Sequence, residues 1–315
     1  MHSGLFEAFL AKNGVVILDG AMATELEKRG ANLKHDLWSA KLLIENPDLI
    51  KQVHLDYLKA GADIITTASY QASFAGFNRK GYNPEKSREL LLLASELAIR
   101  AREEAMRMKW VKGPRPLIAA SVGPYGASLA DGSEYRGNYG LTVEELMTFH
   151  RERMRILLQS DVDLLACETI PCPEEAMALI GLLKEFPGAK AWLSFSCKNE
   201  TSVCNGSDFA RCAAMANDSE QVVAVGVNCT APQFVSPLIQ KAVPVCHKPI
   251  IVYPNKGEYW DAVSKCWIPG NEQQDFAEYA RNWFESGAKI IGGCCRTSPE
   301  DIMNLKKMFP GKPEE

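Results

Sequence analysis

The sequence has no long hydrophobic run and no block of basic residues. No uninterrupted apolar stretch approaches the ~18 residues that a membrane span requires, and the net charge of −4 includes no basic stripe. Neither a membrane nor a nucleic acid is therefore expected as a partner. The N-terminal MHSGLFEAFLAKNG lacks the basic-then-apolar layout of a signal peptide and predicts a short amphipathic helix. We therefore expect a cytoplasmic protein.

Two kinds of motif are also missing. No G-x-G-x-x-G follows the first predicted strand and no G-x-x-x-x-G-K-[ST] occurs anywhere, which disfavours a nucleotide-binding doubly wound sheet. The ten cysteines include no C-x-x-C pair. Without an export signal the thiols are expected to stay reduced, and grouped intracellular cysteines favour metal binding or catalysis over disulfides. Cys212, Cys246 and Cys266 have no site-like neighbours and are expected to be packing or surface residues.

What the sequence does contain is a repeated unit of a short apolar run, a loop and a helix-like stretch. The runs lack apolar/polar alternation, so both of their faces are predicted to be buried, as in parallel strands. They cover residues 15–19, 63–67, 117–121, 163–168, 191–196, 222–228, 249–253 and 289–293. Eight such units without a linker predict an α/β fold, a single-domain (β/α)8 TIM barrel over residues 1–315. A doubly wound sheet is the alternative.

Helix signals and long loops fit the same architecture. Residues 84–109 predict one long charged helix, Thr142 and Glu145 have the spacing of a capping box, and Ser298 precedes a proline as a helix N-cap. Three loops that follow strands are longer than turns require. They span residues 68–83, 122–141 and 253–270. In a barrel these loops surround the C-terminal mouth, where active sites lie.

Cysteines close two of the predicted strands. The sixth strand runs into GVNC and the eighth into GGCC, so Cys229, Cys294 and Cys295 are expected to meet at the mouth. Three thiolates with one open position are typical of a catalytic zinc site. Gly292 and Gly293 would give two consecutive ligands an unusual backbone and room for close approach. The alternative is that Cys294 and Cys295 are small residues packing above the barrel.

Other strand ends carry polar and aromatic side chains. Asp19 and Glu168 could form an acid/base pair or bind a substrate ammonium, although Asp19 could also cap a neighbouring loop. Further candidates for substrate binding at strand ends are Thr67, Ser121 and Asn228. Aromatic residues of the mouth could face a cationic ligand. The candidates for this second role are Trp38, Tyr70, Tyr125 and Tyr253.

These residues lie in segments that resemble the homocysteine S-methyltransferases along nearly the whole chain, most closely the branch that uses S-methylmethionine. The matching segments are LDGAMATELEKRG, LWSAKLLIENPDLIKQVHLDYLKAGADIITTASYQAS, SVGPYGASLADGSEYRG, LLACETIP, GVNC, VYPNKGEYWDAVSKCW and GGCCRT. The resemblance implies a (β/α)8 barrel whose zinc ligands fall on Cys229, Cys294 and Cys295. The homocysteine-binding carboxylates of the family fall on Asp19 and Glu168.

The resemblance also implies a reaction and its partners, which are small molecules. A methyl group would pass from S-methylmethionine, and also from S-adenosylmethionine in some members, to the thiol of homocysteine, which forms methionine. Betaine is disfavoured as donor, because Thr169 replaces the aromatic residue of the betaine-using relatives and their long C-terminal extension is lacking. That extension helps assemble oligomers, so we expect a monomer or a weak homo-oligomer.

Two alternatives stay open at this point. The same site could methylate another small thiol or selenol, such as selenocysteine. In a different class, the protein could be a non-catalytic zinc or redox-sensing protein, which would need a closed four-ligand site or a reversible disulfide. No histidine is expected to act in catalysis, since His54 falls inside a predicted helix.

Overall fold

Eight parallel strands form a closed circle in the computed structural model, which describes residues 5–33, 41–257, 259–261, 266–268 and 275–310. The strands are β1 (Val16–Ile17), β2 (Ile64–Thr66), β3 (Leu117–Val122), β4 (Leu164–Ile170), β5 (Ala191–Phe195), β6 (Val222–Asn228), β7 (Ile250–Tyr253) and β10 (Ala288–Ile291). Their order is β1-β10-β7-β6-β5-β4-β3-β2, and a parallel bridge between Leu18 and Ile64 joins the two ends. The predicted (β/α)8 barrel is confirmed.

Alternate residues of each strand enter two separate apolar layers. Val16 and Leu18 of the first strand pack inside the barrel, in a cluster with Trp192 and Tyr253. Ile17 points the other way, into the larger layer between strands and helices. Because both layers are buried, the side chains on both faces of each strand are apolar. The runs therefore show no apolar/polar alternation.

The helices that surround the strands begin and end at conventional signals. They are α1 (Leu5–Asn13), α2 (Met22–Lys28), α3 (Leu42–Glu45), α4 (Pro47–Ala60), α5 (Phe74–Arg79), α6 (Pro84–Arg107), α7 (Tyr125–Leu129), α8 (Val143–Leu157), α9 (Pro173–Leu183), α10 (Phe209–Ala214), α11 (Pro232–Ala242), α12 (Phe276–Ser286) and α13 (Pro299–Met308). The capping box of Thr142 with Glu145 is formed, and Ser298 forms a second one with Asp301. Within the described ranges, no helix has the length and apolarity to cross a membrane.

The two ends of the barrel differ. At the N-terminal end, Phe6 and Phe9 of α1 pack against the interior cluster and close the bottom. At the C-terminal end, the long loops contain short elements of their own. These are α5, α7 with a 3₁₀ turn at Ser133–Tyr135, and a hairpin of β8 (Tyr259–Asp261) with β9 (Cys266–Ile268). Within the described residues, these elements line the barrel mouth.

Candidate metal and substrate site

Three cysteine sulfurs meet at the C-terminal mouth. The Sγ atoms of Cys229, Cys294 and Cys295 all lie within 4.8 Å of one another. Cys229 and Cys294 are in direct contact, and 3.9 Å separates the sulfurs of Cys294 and Cys295. Four ligands at about 2.3 Å from a tetrahedral zinc lie about 3.8 Å from one another, so a sulfur group of this size suits one such ion. Among the described residues, no other Cys, His, Asp or Glu group of three or more is arranged to hold a metal.

The backbone before the paired cysteines is crowded rather than left-handed. A Cβ atom on Gly292 would lie 2.5 Å from the Cβ of Leu18, and one on Gly293 would lie 2.3 Å from Oγ1 of Thr297. Neither glycine has a positive φ. The expected close approach is therefore present, whereas the expected unusual φ occurs at neither glycine. Thr297 fixes this turn, because its hydroxyl donates to the carbonyl of Cys294 at 2.6 Å.

Left-handed backbone occurs instead at three other residues of the site, one of which is Arg296, directly after Cys295, with φ of 72°. Cys229 has φ of 46° and Thr169 has φ of 61°, a region that β-branched residues rarely enter. The side chain of Asn228 holds Thr169 there, since Oδ1 accepts from the Thr169 amide at 2.7 Å and Nδ2 donates to the Thr169 hydroxyl at 2.8 Å. Oδ1 of Asn228 also accepts from Ser194 at 2.8 Å. Asn228 thus positions the residue after Glu168.

The charge state of Cys229 responds to the groups around it. Hydrogen bonds from Cys294 and Cys295 lower the pKa of the Cys229 thiol well below its ordinary value, and the hydroxyls of Thr169 and Tyr135 lower it further. The pKa values of Cys294 and Cys295 are raised, first because each thiol hydrogen-bonds to Cys229, and further because burial and the negative charge of Cys229 oppose a second and third thiolate. Three adjacent thiolates therefore need a cation, which a metal ion would supply.

Asp19 follows β1 and is 4% exposed. Its Oδ2 accepts from the Thr66 amide at 2.7 Å, and both carboxylate oxygens lie 3.1 Å from the Thr66 hydroxyl. Burial raises the pKa of Asp19 to about 8, and the nearby charge of Glu168 contributes to the same shift. A cation that binds next to such a buried carboxyl group lowers its pKa and favours the ionised form.

Glu168 lies near the C-terminal end of β4, under the same mouth. Its Oε1 accepts from the Ser121 hydroxyl, and its Oε2 accepts from the Tyr253 hydroxyl at 3.0 Å. Tyr253 is itself fixed by Trp192, whose indole nitrogen donates to the phenol oxygen at 2.9 Å. Burial raises the pKa of Glu168 to about 7, and the charge on Cys229 adds to the shift. Ser121 and Tyr253 therefore orient this carboxylate.

The remaining predicted residues have different surroundings. Thr67 contacts the Ser69 hydroxyl at 2.7 Å and accepts from the Ser121 amide at 3.0 Å, so it supports the strand that carries Ser121. The Tyr125 ring packs edge-on against Tyr139 and Phe149. Trp38 lies outside the described residues. Tyr70 does reach the site, because the charges of Glu134, Cys229 and Glu168 add to burial in raising its pKa.

Sequence reasoning did not select Glu134 from the loop after β3, and it placed Tyr135 only among the aromatic residues of the mouth loops. The charges of Cys229 and Cys295 act on Tyr135, and that of Cys229 acts on Glu134, so both residues lie beside the sulfur group. Burial raises the pKa of Glu134 to about 7. A loop written DGSEYRG is typical of a solvated turn, and only its length and its place after a strand indicated a role at the mouth.

Known proteins are similar to this chain in sequence over most of its length. The sequence profile of the homocysteine S-methyltransferase family matches residues 16–309. Homocysteine S-methyltransferase YbgG of Bacillus subtilis (strain 168) is 50% identical over 293 residues, which cover 92% of this chain and 93% of that protein. Selenocysteine Se-methyltransferase of Brassica oleracea var. italica is 47% identical over 309 residues, which cover 93% and 88%.

A solved structure is similar as well. The crystal structure of the homocysteine methyltransferase MmuM from Escherichia coli in its metallated form has a TM-score of 0.87 and 44% identity, over 96% of this chain and 99% of that one. Sequence, fold and the convergent sulfur group thus lead to one conclusion. The chain is a methyltransferase that belongs to the homocysteine S-methyltransferase family.

Proposed function

We propose that this protein transfers a methyl group from the sulfonium of S-methylmethionine to the thiol of L-homocysteine, and that it uses a zinc ion held by Cys229, Cys294 and Cys295. The observation that carries the proposal is the meeting of three thiols and two buried carboxylates at one barrel mouth. A sensor or a structural metal site would have no use for Asp19 and Glu168 beside the sulfurs.

The donor set fits zinc, which favours thiolates and is stable with three protein ligands and one open position. When bound, zinc lowers the pKa of a thiol in that position, which supplies the thiolate nucleophile that a free thiol of pKa roughly 8.5 lacks at neutral pH. The protein's part is to hold the ion from two directions. Strand β6 delivers Cys229, and the turn pinned by Thr297 delivers Cys294 and Cys295.

Asp19 and Glu168 would bind the homocysteine ammonium. Both carboxyl groups are buried, and burial raises the pKa of Asp19 to about 8 and that of Glu168 to about 7. Ionising either group without a bound cation is therefore costly. The ammonium offsets that cost and makes charge-assisted hydrogen bonds, which Thr66, Ser121 and Tyr253 direct by fixing the carboxylate oxygens. The amino acid is thereby aimed with its sulfur towards the cysteines.

The transfer itself needs no protonated acid. The nucleophile is an anion, the donor sulfonium is a cation, and the leaving thioether is neutral, so the sulfur–carbon bond breaks without proton transfer. The described histidines agree with this scheme. His54 is fully buried in α4, and His150 is fully buried between α8 and α9, where it bonds to Glu175 and Arg153.

A second acceptor has one specific observation in its favour. A relative that is 47% identical over 93% of this chain is named a selenocysteine Se-methyltransferase. Selenocysteine also has an ammonium and a soft nucleophilic atom, so the same carboxylates and thiolates would serve it. Assay of homocysteine and selenocysteine side by side, each with S-methylmethionine, separates the two acceptors.

The metal ligands give the first test. Cys229→Ser, Cys294→Ser and Cys295→Ser should each lose zinc and at least about a hundredfold in activity, since an outer-shell partner alone is worth 10–100-fold. The barrel should stay folded by circular dichroism. Zinc content and methionine formation are measured with S-methylmethionine, S-adenosylmethionine, betaine and methylfolate as donors.

Cys246→Ser is the matched control, because Cys246 is a buried cysteine that lies beyond α11, outside the sulfur group. It should keep wild-type zinc content and activity. A triple serine variant that still methylates homocysteine would disprove the proposed mechanism. Betaine as the preferred donor would disprove the proposed donor.

A further inference from the structure

One carboxylate at the mouth has no partner. Glu134 lies in the 3₁₀ turn Ser133–Tyr135, and its Oε2 is buried without a hydrogen bond to any described residue. No Lys or Arg nitrogen of the described ranges forms an ion pair with it; the neighbouring Arg136 instead bonds to Asp131 and to the Ser133 hydroxyl. Buried carboxylates are normally paired, because the desolvation of an unpaired charge is costly.

The backbone of the loop holds Glu134 in this place. The Glu134 carbonyl accepts from the Ser196 hydroxyl at 3.3 Å, which ties the turn to the end of β5. A Cβ atom on Gly126 would lie 2.5 Å from the Glu134 amide nitrogen, so α7 and the turn are in tight contact. The residue is half-buried overall. Its carboxylate is thus held near the mouth and stays accessible to a ligand.

The surroundings of Glu134 are those of a cation site. Its charge acts on the phenols of Tyr70 and Tyr135, and it is close enough to Cys229 for the two charges to repel. Two aromatic rings and a carboxylate together attract a positively charged group. Asp19 and Glu168, by contrast, have hydrogen-bond donors of their own and belong to a separate pair.

We propose that Glu134 is the donor-recognition residue, which binds the positive charge of the sulfonium substrate beside the sulfur group, with Tyr70 and Tyr135 lining the same subsite. The inference rests on the proposed function, because it requires a cationic methyl donor. It assigns a residue outside the thiols and the homocysteine carboxylates. The unpaired carboxylate is then a cost to the folded protein that donor binding removes.

Glu134→Gln tests this assignment, since it removes the charge and keeps the shape. The KM for S-methylmethionine should rise roughly tenfold or more, the loss expected when a hydrogen bond to a charged group is removed. The KM for homocysteine should stay within about twofold of wild type, and zinc content should be unchanged. Glu134→Asp, which keeps the charge, should weaken donor binding less than Glu134→Gln.

The melting temperature of Glu134→Gln distinguishes a donor-binding glutamate from a purely structural one. Because the carboxylate is buried and unpartnered, Glu134→Gln should melt at the wild-type temperature or above at pH 8, whereas loss of a structural contact would lower it. Glu144→Gln is the control: it makes the same change on the exposed start of α8 and should alter neither KM nor melting temperature.

Two results would overturn the assignment. The assignment is wrong if the donor KM of Glu134→Gln is unchanged. It is also wrong if the KM values for donor and homocysteine rise equally, because that result would indicate general damage to the mouth. Failure of the proposed function is distinguishable from both. In that case the wild-type protein itself would not methylate homocysteine with any sulfonium donor.

Discussion

At the scale of single residues, the buried His54 lowers the stability of the folded protein at acidic pH. It lies in α4 with no solvent exposure, and neither ring nitrogen has a hydrogen-bond partner among the described residues. Burial therefore lowers the pKa of His54 from 6.5 to about 3. The folded protein holds the ring neutral, while the unfolded chain takes up a proton below pH 6.5. Stability is thus lost as the pH falls from 6.5 towards 3.

His54→Leu should remove this pH dependence. The lowered pKa costs the wild-type protein about 2 kcal/mol of unfolding free energy at pH 5 relative to pH 8, a cost that a leucine does not have. At pH 8 the variant should be as stable as wild type or more so, because an apolar side chain replaces unsatisfied nitrogens. Urea unfolding at both pH values measures the difference.

The exposed His247 provides the control, since His247→Gln should leave the pH dependence of stability unchanged. An equal loss of stability at pH 5 in wild type and in His54→Leu would show that other groups cause it.

The residues also show why sequence reasoning found one part of the site and missed another. Cys229, Cys294 and Cys295 directly follow strands, so the barrel topology alone brings them together. Glu134 lies in a polar loop, and its burial depends on contacts with Gly126 and Ser196, which are distant in sequence or in another element. No local pattern encodes such contacts. The left-handed backbone of Thr169 could not be predicted either, because such a backbone is normally indicated by Gly or Asn.

At the scale of elements, a buried polar cluster fastens the loop after β3 to the helices behind it. Glu175 of α9 accepts from the Tyr125 amide at 2.6 Å and contacts Nε2 of His150 at 2.7 Å. Arg153 of α8 donates to Nδ1 of His150 at 2.7 Å and to the carbonyl of Gly123. Because Nδ1 accepts, Nε2 of the neutral ring donates to Glu175. The cluster thus fixes the first residues of the loop that carries Glu134.

Glu175→Ala should destabilise the protein strongly. The change removes the carboxylate that accepts from Tyr125 and bonds to His150, and whose negative charge stabilises the buried Arg153. Leaving a buried charge uncompensated in this way costs about 3–5 kcal/mol. The unfolding free energy in urea at pH 7.5 measures the loss. Glu174→Ala is a closely matched control, because Glu174 is the preceding residue of α9 and is exposed. It should change stability by less than about 0.5 kcal/mol.

A loss in Glu175→Ala no larger than that in Glu174→Ala would mean that the cluster does not anchor the loop.

The elements were predictable to different degrees. The eight strands were found because residues of both faces are apolar. A capping box placed the start of α8 at the correct residue, and an N-cap serine before a proline did the same for α13. The first strand covers only Val16–Ile17 of the apolar run 15–19. Backbone hydrogen bonds continue beyond it, because the Leu18 amide donates to the Ile291 carbonyl and the Asp19 amide donates to the Ile64 carbonyl. The end of the predicted run is therefore still bonded to both neighbouring strands.

At the scale of the whole molecule, the barrel separates chemistry from stability. Every residue proposed to bind metal or substrate lies at the C-terminal mouth, while the bottom is closed by apolar side chains of α1. A cavity of about 600 Å³ does occur at the bottom, next to Phe6 and Leu10; its charged lining residues are Glu220, Lys248 and Lys289, and no thiol lines it. Change at the bottom should therefore affect folding and leave the reaction alone.

Phe9→Ala tests this separation. Phe9 is 6% exposed and packs on the interior cluster from below, so its truncation should cost about 3 kcal/mol of unfolding free energy, at the low end for a buried aromatic. The kcat/KM values for homocysteine and donor should stay within about twofold of wild type at temperatures where the variant is folded. Phe284→Ala makes the same truncation at a residue that is 38% exposed, and should cost less. A tenfold loss of kcat/KM in folded Phe9→Ala, with full zinc content, would show that the bottom of the barrel is coupled to the mouth.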